Sequence, residues 1–118
     1  MTGKCQNLKF GFTAAATSAD TECSSDGERY GQMLTDCKLG FELGYDCAWV
    51  LEHHFTDYFP TPSPIVVMSH LAAAFPGLSL GSCVLVLPWY NPLRLAEEIS
   101  MLSHFCKGDL HLAFGRGT

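Results

Sequence analysis

Twice in this chain a short polar residue stands directly before proline and opens an apolar segment. Ser63-Pro64 precedes Ile65 to Phe75, and Asn91-Pro92 precedes Leu95, Ile99, Leu102 and Phe105 at helical spacing. A side-chain oxygen at the N-cap satisfies a free helical N–H, and proline at the first helical position gives up no bond, so both signatures predict helix starts. Between the two helices lies Leu78 to Leu87, "LSLGSCVLVL", set off by Pro76-Gly77. Its nearly continuous apolar character, with leucine and β-branched residues, predicts a strand buried on both faces. A strand of that kind flanked by helices belongs to a parallel sheet.

The rest of the chain extends the alternation. Leu8 to Phe12, "LKFGF", alternates apolar and other residues and predicts a first strand, and the small, polar "TAAATSADTECSSDG" predicts a loop. Tyr30, Met33, Leu34, Cys37 and Phe41 form a helical stripe over Glu28 to Leu43, with Gly44 as a C-terminal cap residue. Asp46 to Leu51 is a short strand, Lys107-Gly108 closes the third helix, and Leu110 to Phe114 is the last strand. The order is β-α-β-α-β-α-β, an α/β fold with right-handed crossovers. Its 118 residues make one domain, 1–118. No strand runs into G-x-G-x-x-G or G-x-x-x-x-G-K-[ST], which argues against a dinucleotide-binding sheet or a phosphate-cradling loop.

Charge and cysteine usage narrow the function classes. The formal net charge is -5 with no run of like charges, a poor match to nucleic acid or an anionic membrane. The N-terminal "MTGKCQNLKF" lacks the apolar core of a signal peptide, and no stretch approaches the ~20 apolar residues of a membrane span, so a cytoplasmic location is expected. Cys5, Cys23, Cys37, Cys47, Cys83 and Cys106 contain no C-x-x-C pair, and they are expected to be reduced, mostly buried thiols.

The chemistry concentrates where Trp49 to Leu51 runs out into Glu52-His53-His54 and the proline-studded "FTDYFPTPS". The C-terminal ends of parallel strands are where such sheets build sites. Alternation puts Glu52 and His54 on one side and His53 on the other. Imidazole exchanges protons near neutral pH without a large shift, which suits acid–base work; the plain alternative is a pair of rim histidines. Glu52 and His54 also have the makings of two metal ligands, but no third lies nearby and no metal site is expected. Trp89 and Tyr90 wall a pocket or pack a loop, and Arg94 reads as a structural or rim charge in the first turn of its helix.

Taken in order, "WVLEHHF", "GSCVLVLPWYNPLRLAEEISML" and "KGDLHLAFGRG" resemble the luciferase-like flavin monooxygenase family from about Asp46 to Gly117, and "LKFGF" fits that family's first strand. The resemblance implies a (β/α)8 barrel, a fold of ~250 residues. This chain would be its N-terminal half, as a fragment or a truncated product. It also implies reduced flavin mononucleotide (FMN), or a deazaflavin in its place, acting with dioxygen on a small organic substrate. A flavin reductase and a homo-oligomeric state follow as partners. His53 matches the family position facing the flavin ring, and His54 is a second catalytic candidate. Cys83-Val84 matches a non-proline cis peptide packed on the ring. Arg116, in "GRG", matches the arginine that holds the flavin phosphate. Two alternatives accompany this reading: a half-barrel that associates without catalysis, and a metal-dependent hydrolase.

Overall fold

Describing residues 8–17 and 25–117, the structure is a computed structural model. Its elements are β1 (Gly11–Ala14), α1 (Asp26–Glu42), β2 (Cys47–Val50), α2 (Pro64–Ala74), β3 (Ser79–Val86), a 3-10 turn over Leu87–Trp89, α3 (Pro92–Phe105) and β4 (Leu110–Gly115). The four strands are all parallel, in the order β1-β2-β3-β4. Each helix therefore crosses between neighbouring strands.

Both cap-and-proline signatures start helices. The Ser63 side chain accepts from Val66 N–H, and Asn91 accepts from Leu93 and Arg94 N–H. Gly44, with φ +81°, takes the left-handed turn after α1. α1 begins at Asp26, two residues before the sequence reading, because Ser25 and Glu28 form a reciprocal capping box.

Met33 and Cys37 of α1, Met68 and Leu71 of α2, and Leu102 of α3 meet Ala48, Val50 and Leu80 of the sheet in one buried core. Full burial of a side chain such as Leu71 or Leu80 stabilises by ~1.5–3 kcal/mol. The opposite face of the sheet is different. Thr13, Trp49, Gly81 and His111 stand side by side across the four strands, and alternation turns them away from the helices. Trp49 stacks on His111 at 5.8 Å between ring centroids. Its ring lies over Gly81, where a Cβ would come within 2.4 Å of it. Among the described residues no helix covers this face.

Several sequence boundaries move. β1 is Gly11–Ala14 rather than Leu8 to Phe12. The ladder begins only at Gly11↔Cys47, since Asp46 caps the entry: its carboxylate accepts from Phe10 N–H at 2.7 Å, while Leu8 and Phe10 stay exposed. Ala14, assigned to the loop for its small size, pairs with Val50 in the buried ladder. The remainder of that loop lies partly outside the described residues. β2 and β3 are each trimmed at both ends, and β4 gains Gly115.

Thiols divide by burial. Cys37 and Cys47 are buried, and burial pushes both thiols up to about 11. Cys83 is exposed, which corrects the expectation for that position, and Cys106 is half-buried. All four are free; Cys5 and Cys23 lie outside the described residues. Among the described residues no helix is long and apolar enough to cross a membrane.

Gly108 does not close α3 as a left-handed cap. The cap residue is Cys106, in an extended conformation with φ -71° and ψ 124°. Glycine is needed two residues later for a different reason: a Cβ there would lie 2.6 Å from the carbonyl carbon and oxygen of Leu78. That neighbour is backbone at the entry of β3, and it cannot turn aside. Gly108→Ala should therefore destabilise the fold by ~1–3 kcal/mol, the usual cost of overpacking. Urea unfolding of the full-length protein reads this as a lower midpoint at unchanged slope; an unchanged midpoint would show that β3 and β4 entry can spread.

Candidate functional site

At the C-terminal end of the sheet, β2 stops at Val50 and the chain turns out through Glu52, His53 and His54. Glu52 turns inward. Its side chain is fully buried, and three groups converge on it. His54 Nε2 lies 2.7 Å from Oε1, Val86 N–H donates to Oε2 at 2.9 Å, and Tyr90 O–H donates to Oε2 at 2.8 Å. One carboxylate thus ties the end of β2 to the end of β3 and to the loop after it. Burial, followed by the bond to Glu52, raises the Tyr90 phenol well above its ordinary value.

The two imidazoles have different neighbours. His54 stacks on Trp89, with centroids 4.7 Å apart and planes 25° apart. His53 sits between Phe59 and Tyr58, at 4.9 and 6.1 Å, and its backbone N–H donates to Thr61 O. The loop they introduce is pinned to α1, with Tyr30 O–H donating to Pro60 O and the Arg29 guanidinium donating to Asp57 O. Phe55, at the mouth, holds a left-handed backbone at φ 55° and is 95% exposed. Side chains seldom accept that conformation outside constrained turns.

On β3 the Cys83-Val84 peptide bond is cis. The ladder to β4 jumps there: Ser82 pairs with Leu112 and Leu85 with Phe114, so two residues oppose one. This bulge would leave Ala113 without its ladder bonds. The Ser82 hydroxyl replaces them, accepting from Ala113 N–H at 3.0 Å and donating to Ala113 O at 3.1 Å. Cys83 and Val84 are thereby lifted from the ladder beside the site.

Arg116 follows β4 and is exposed, and Gly117 turns back with φ +76°. One open cavity of about 460 Å³ is lined by His53, His54, Cys83, Val84 and Arg116, and Tyr90 and Arg94 lie outside its lining. Glu52, Phe55, Tyr58 and Trp89 are also among its lining residues. A second cavity, about 480 Å³, lies between α1 and α2 around Met33, Leu34, Val66 and Val67. Its lining is mostly apolar and holds no lysine or arginine.

Sequence reasoning missed two of these roles. The sequence marks Glu52 only as half of a metal pair, yet its oxygens are spent on His54, Val86 and Tyr90. Among the described residues no cluster of three or more His, Cys, Asp or Glu is placed to hold a metal. Ser82 has a usable signal, since a hydroxyl inside an apolar strand must find a partner where it is buried. Tyr90 packs the loop while Trp89 walls the cavity, so the two readings of that pair are divided between them. Arg94 stays exposed and pairs with Glu98 at 3.0 Å.

Comparison with known proteins bears on the family and the fold. Over 80 residues the chain is 35% identical to an alkanal monooxygenase alpha chain of Photorhabdus luminescens, covering 68% of this chain and 22% of that protein. The monooxygenase RslO1 of Streptomyces bottropensis superposes with a TM-score of 0.82 at 26% identity, over 94% of this chain and 34% of that one. The oxygenating constituent of 3,6-diketocamphane monooxygenase of Pseudomonas putida, solved in complex with FMN, gives 0.83 at 19% identity, a likeness of fold alone. The chain thus spans about a third or less of the proteins it matches. The profile described as luciferase-like monooxygenase matches residues 9–118, and with the parallel sheet and the strand-end cavity this establishes that the chain belongs to the luciferase-like monooxygenase family.

Proposed function

We propose that this chain supplies the first four strands, the N-terminal half of the barrel's strand count, of a (β/α)8 flavin-dependent monooxygenase, which uses reduced FMN and dioxygen on a small organic substrate. The observation that carries the reading is the convergence of two imidazoles, the Cys83-Val84 segment and one guanidinium on a single cavity at the strand ends. Its size, about 460 Å³, falls in the range of cofactor pockets. An aromatic ring system bearing a phosphate fits that donor set. Arg116 would hold the phosphate through forked, charge-assisted bonds. Val84 and the backbone lifted at the bulge would pack the ring, and His53 would hold or pass a proton at its ring nitrogens. When bound, the reduced flavin supplies the electrons for oxygen activation. Loop residues Phe55 and Trp89 would limit water at the mouth. The test is anaerobic titration of the full-length protein with reduced FMN, followed by oxygen. Saturable binding and oxygen-dependent reoxidation altered by the protein support the proposal, whereas absence of binding would refute it.

The bare sheet face supports the half-barrel part of this reading. Trp49 and His111 stand where the opposite wall of a closed barrel would pack, and β1 and β4 are open edges. Unpaired strand edges recruit other chains. β4 is poorly guarded, with Leu110, Leu112 and Phe114 and no acidic residue or proline within it. Produced alone, the 118-residue chain should therefore dimerise or aggregate, with weak flavin affinity. Light scattering and amide exchange check this. A monodisperse monomer with strongly protected β1 and β4 amides would instead favour a self-sufficient domain.

A further inference from the structure

We propose that Glu52 is the positioning residue of this site, setting which nitrogen of His54 carries the proton. An ionised carboxylate only accepts hydrogen bonds. With Oε1 2.7 Å from His54 Nε2, that nitrogen must be the one protonated. In neutral imidazole the acceptor is then Nδ1. The carboxylate cannot turn to escape this assignment. Its Oε2 is fixed by Val86 N–H, which is always a donor, and by Tyr90 O–H. Full burial of the side chain keeps water from competing. Trp89 stacked on the ring holds the imidazole plane. The proton state of a cavity-lining histidine is thus written by a residue that lies beneath it.

This assignment has a consequence that general stabilisation by Glu52 does not. In Glu52→Gln the amide oxygen must stay with Val86 N–H, because an NH2 group there would oppose a backbone donor that cannot become an acceptor, whereas the Tyr90 hydroxyl can turn to suit either group. The NH2 then faces His54 Nε2 and requires an acceptor. The imidazole meets that demand by moving its proton to Nδ1. The isosteric replacement should therefore switch the tautomer of His54 with the fold intact. Tyr90→Phe removes one donor from Oε2 and leaves the His54 contact alone, so it should lower thermal stability without switching the tautomer.

The inference deepens the flavin-site proposal and rests on it only for catalytic meaning. The test uses full-length protein with nitrogen-15-labelled histidine, without flavin, above the ordinary titration range of imidazole. Nitrogen shifts show which ring nitrogen is protonated, and loss of the signal in His54→Gln assigns it. The expected result is Nε2–H in the wild type and in Tyr90→Phe, and Nδ1–H in Glu52→Gln. Nδ1–H in the wild type overturns the inference whether or not the Gln variant folds. An unswitched tautomer in a folded Gln variant overturns it too, as does a switch in Tyr90→Phe. Failure of flavin to bind would refute the flavin proposal while leaving the tautomer result standing.

Discussion

Replacing His53 by alanine in the full-length protein should slow oxygen-dependent turnover by ~10²–10⁴-fold, the range that positioned acid–base groups supply. His53 follows β2 at the cavity, and its ring is held between Phe59 and Tyr58. That aromatic seat fixes orientation while leaving both ring nitrogens without a side-chain partner among the described residues. An imidazole so placed is available to a ligand, in contrast to His54, whose Nε2 is committed to Glu52. Steady-state turnover at saturating reduced flavin gives the measurement, with thermal unfolding as the control for lost packing. Turnover within a few-fold of wild type in a stable variant would remove His53 from the chemistry and turn attention to His54.

Arg116→Ala should weaken FMN binding by about 10–100-fold, since a charged hydrogen bond is worth ~1.5–3 kcal/mol. Turnover at saturating flavin should change far less. The separation follows from where the residue sits. Arg116 leaves the end of β4 one residue after Gly115, where a Cβ would lie 2.7 Å from Val84 Cγ2. The glycine lets β4 close on the bulge, so the guanidinium comes to the same cavity as Cys83 and Val84. In the proposed role Arg116 would hold the phosphate, which takes no part in the oxygen chemistry, so its loss would cost binding rather than turnover. Arg116→Lys separates fork geometry from charge: partial rescue is expected, because lysine keeps the charge and loses the bidentate fork. Isothermal titration with FMN decides the matter, and an unaltered dissociation constant would remove Arg116 from the site.

The candidate site was legible to unequal depths. His53 and His54 could be read from the way an apolar strand ran out into E-H-H, because strand ends and side-chain alternation are local properties. Arg116 and Cys83-Val84 came from the family resemblance; composition and periodicity marked neither. Glu52 and Ser82 were the hard cases. Their partners lie 34 and 31 residues away, at Val86 and Ala113, and a single sequence holds no sign of which distant backbone group will arrive beside them.

What the sequence by itself determined was the alternation, and with it the parallel sheet. N-cap oxygens, prolines at first helical positions and a doubly apolar strand act within a few residues, so Ser63-Pro64, Asn91-Pro92 and Leu78 to Leu87 needed no tertiary context. What only the tertiary structure decided was register and partnership. β1 slid forward from Leu8–Phe12 to Gly11–Ala14 because Asp46 caps Phe10 and the ladder starts beyond it. Gly108 owes its identity to the backbone of Leu78, 30 residues earlier in the chain, and not to the helix it follows. The buried Glu52 carboxylate became the joint of the site because folding brings Val86 N–H and Tyr90 O–H, from the end of β3 and the loop after it, onto a carboxylate that neighbouring His54 also meets. Local steric and capping forces are written residue by residue, whereas hydrogen bonds between segments exist only once the strands lie side by side.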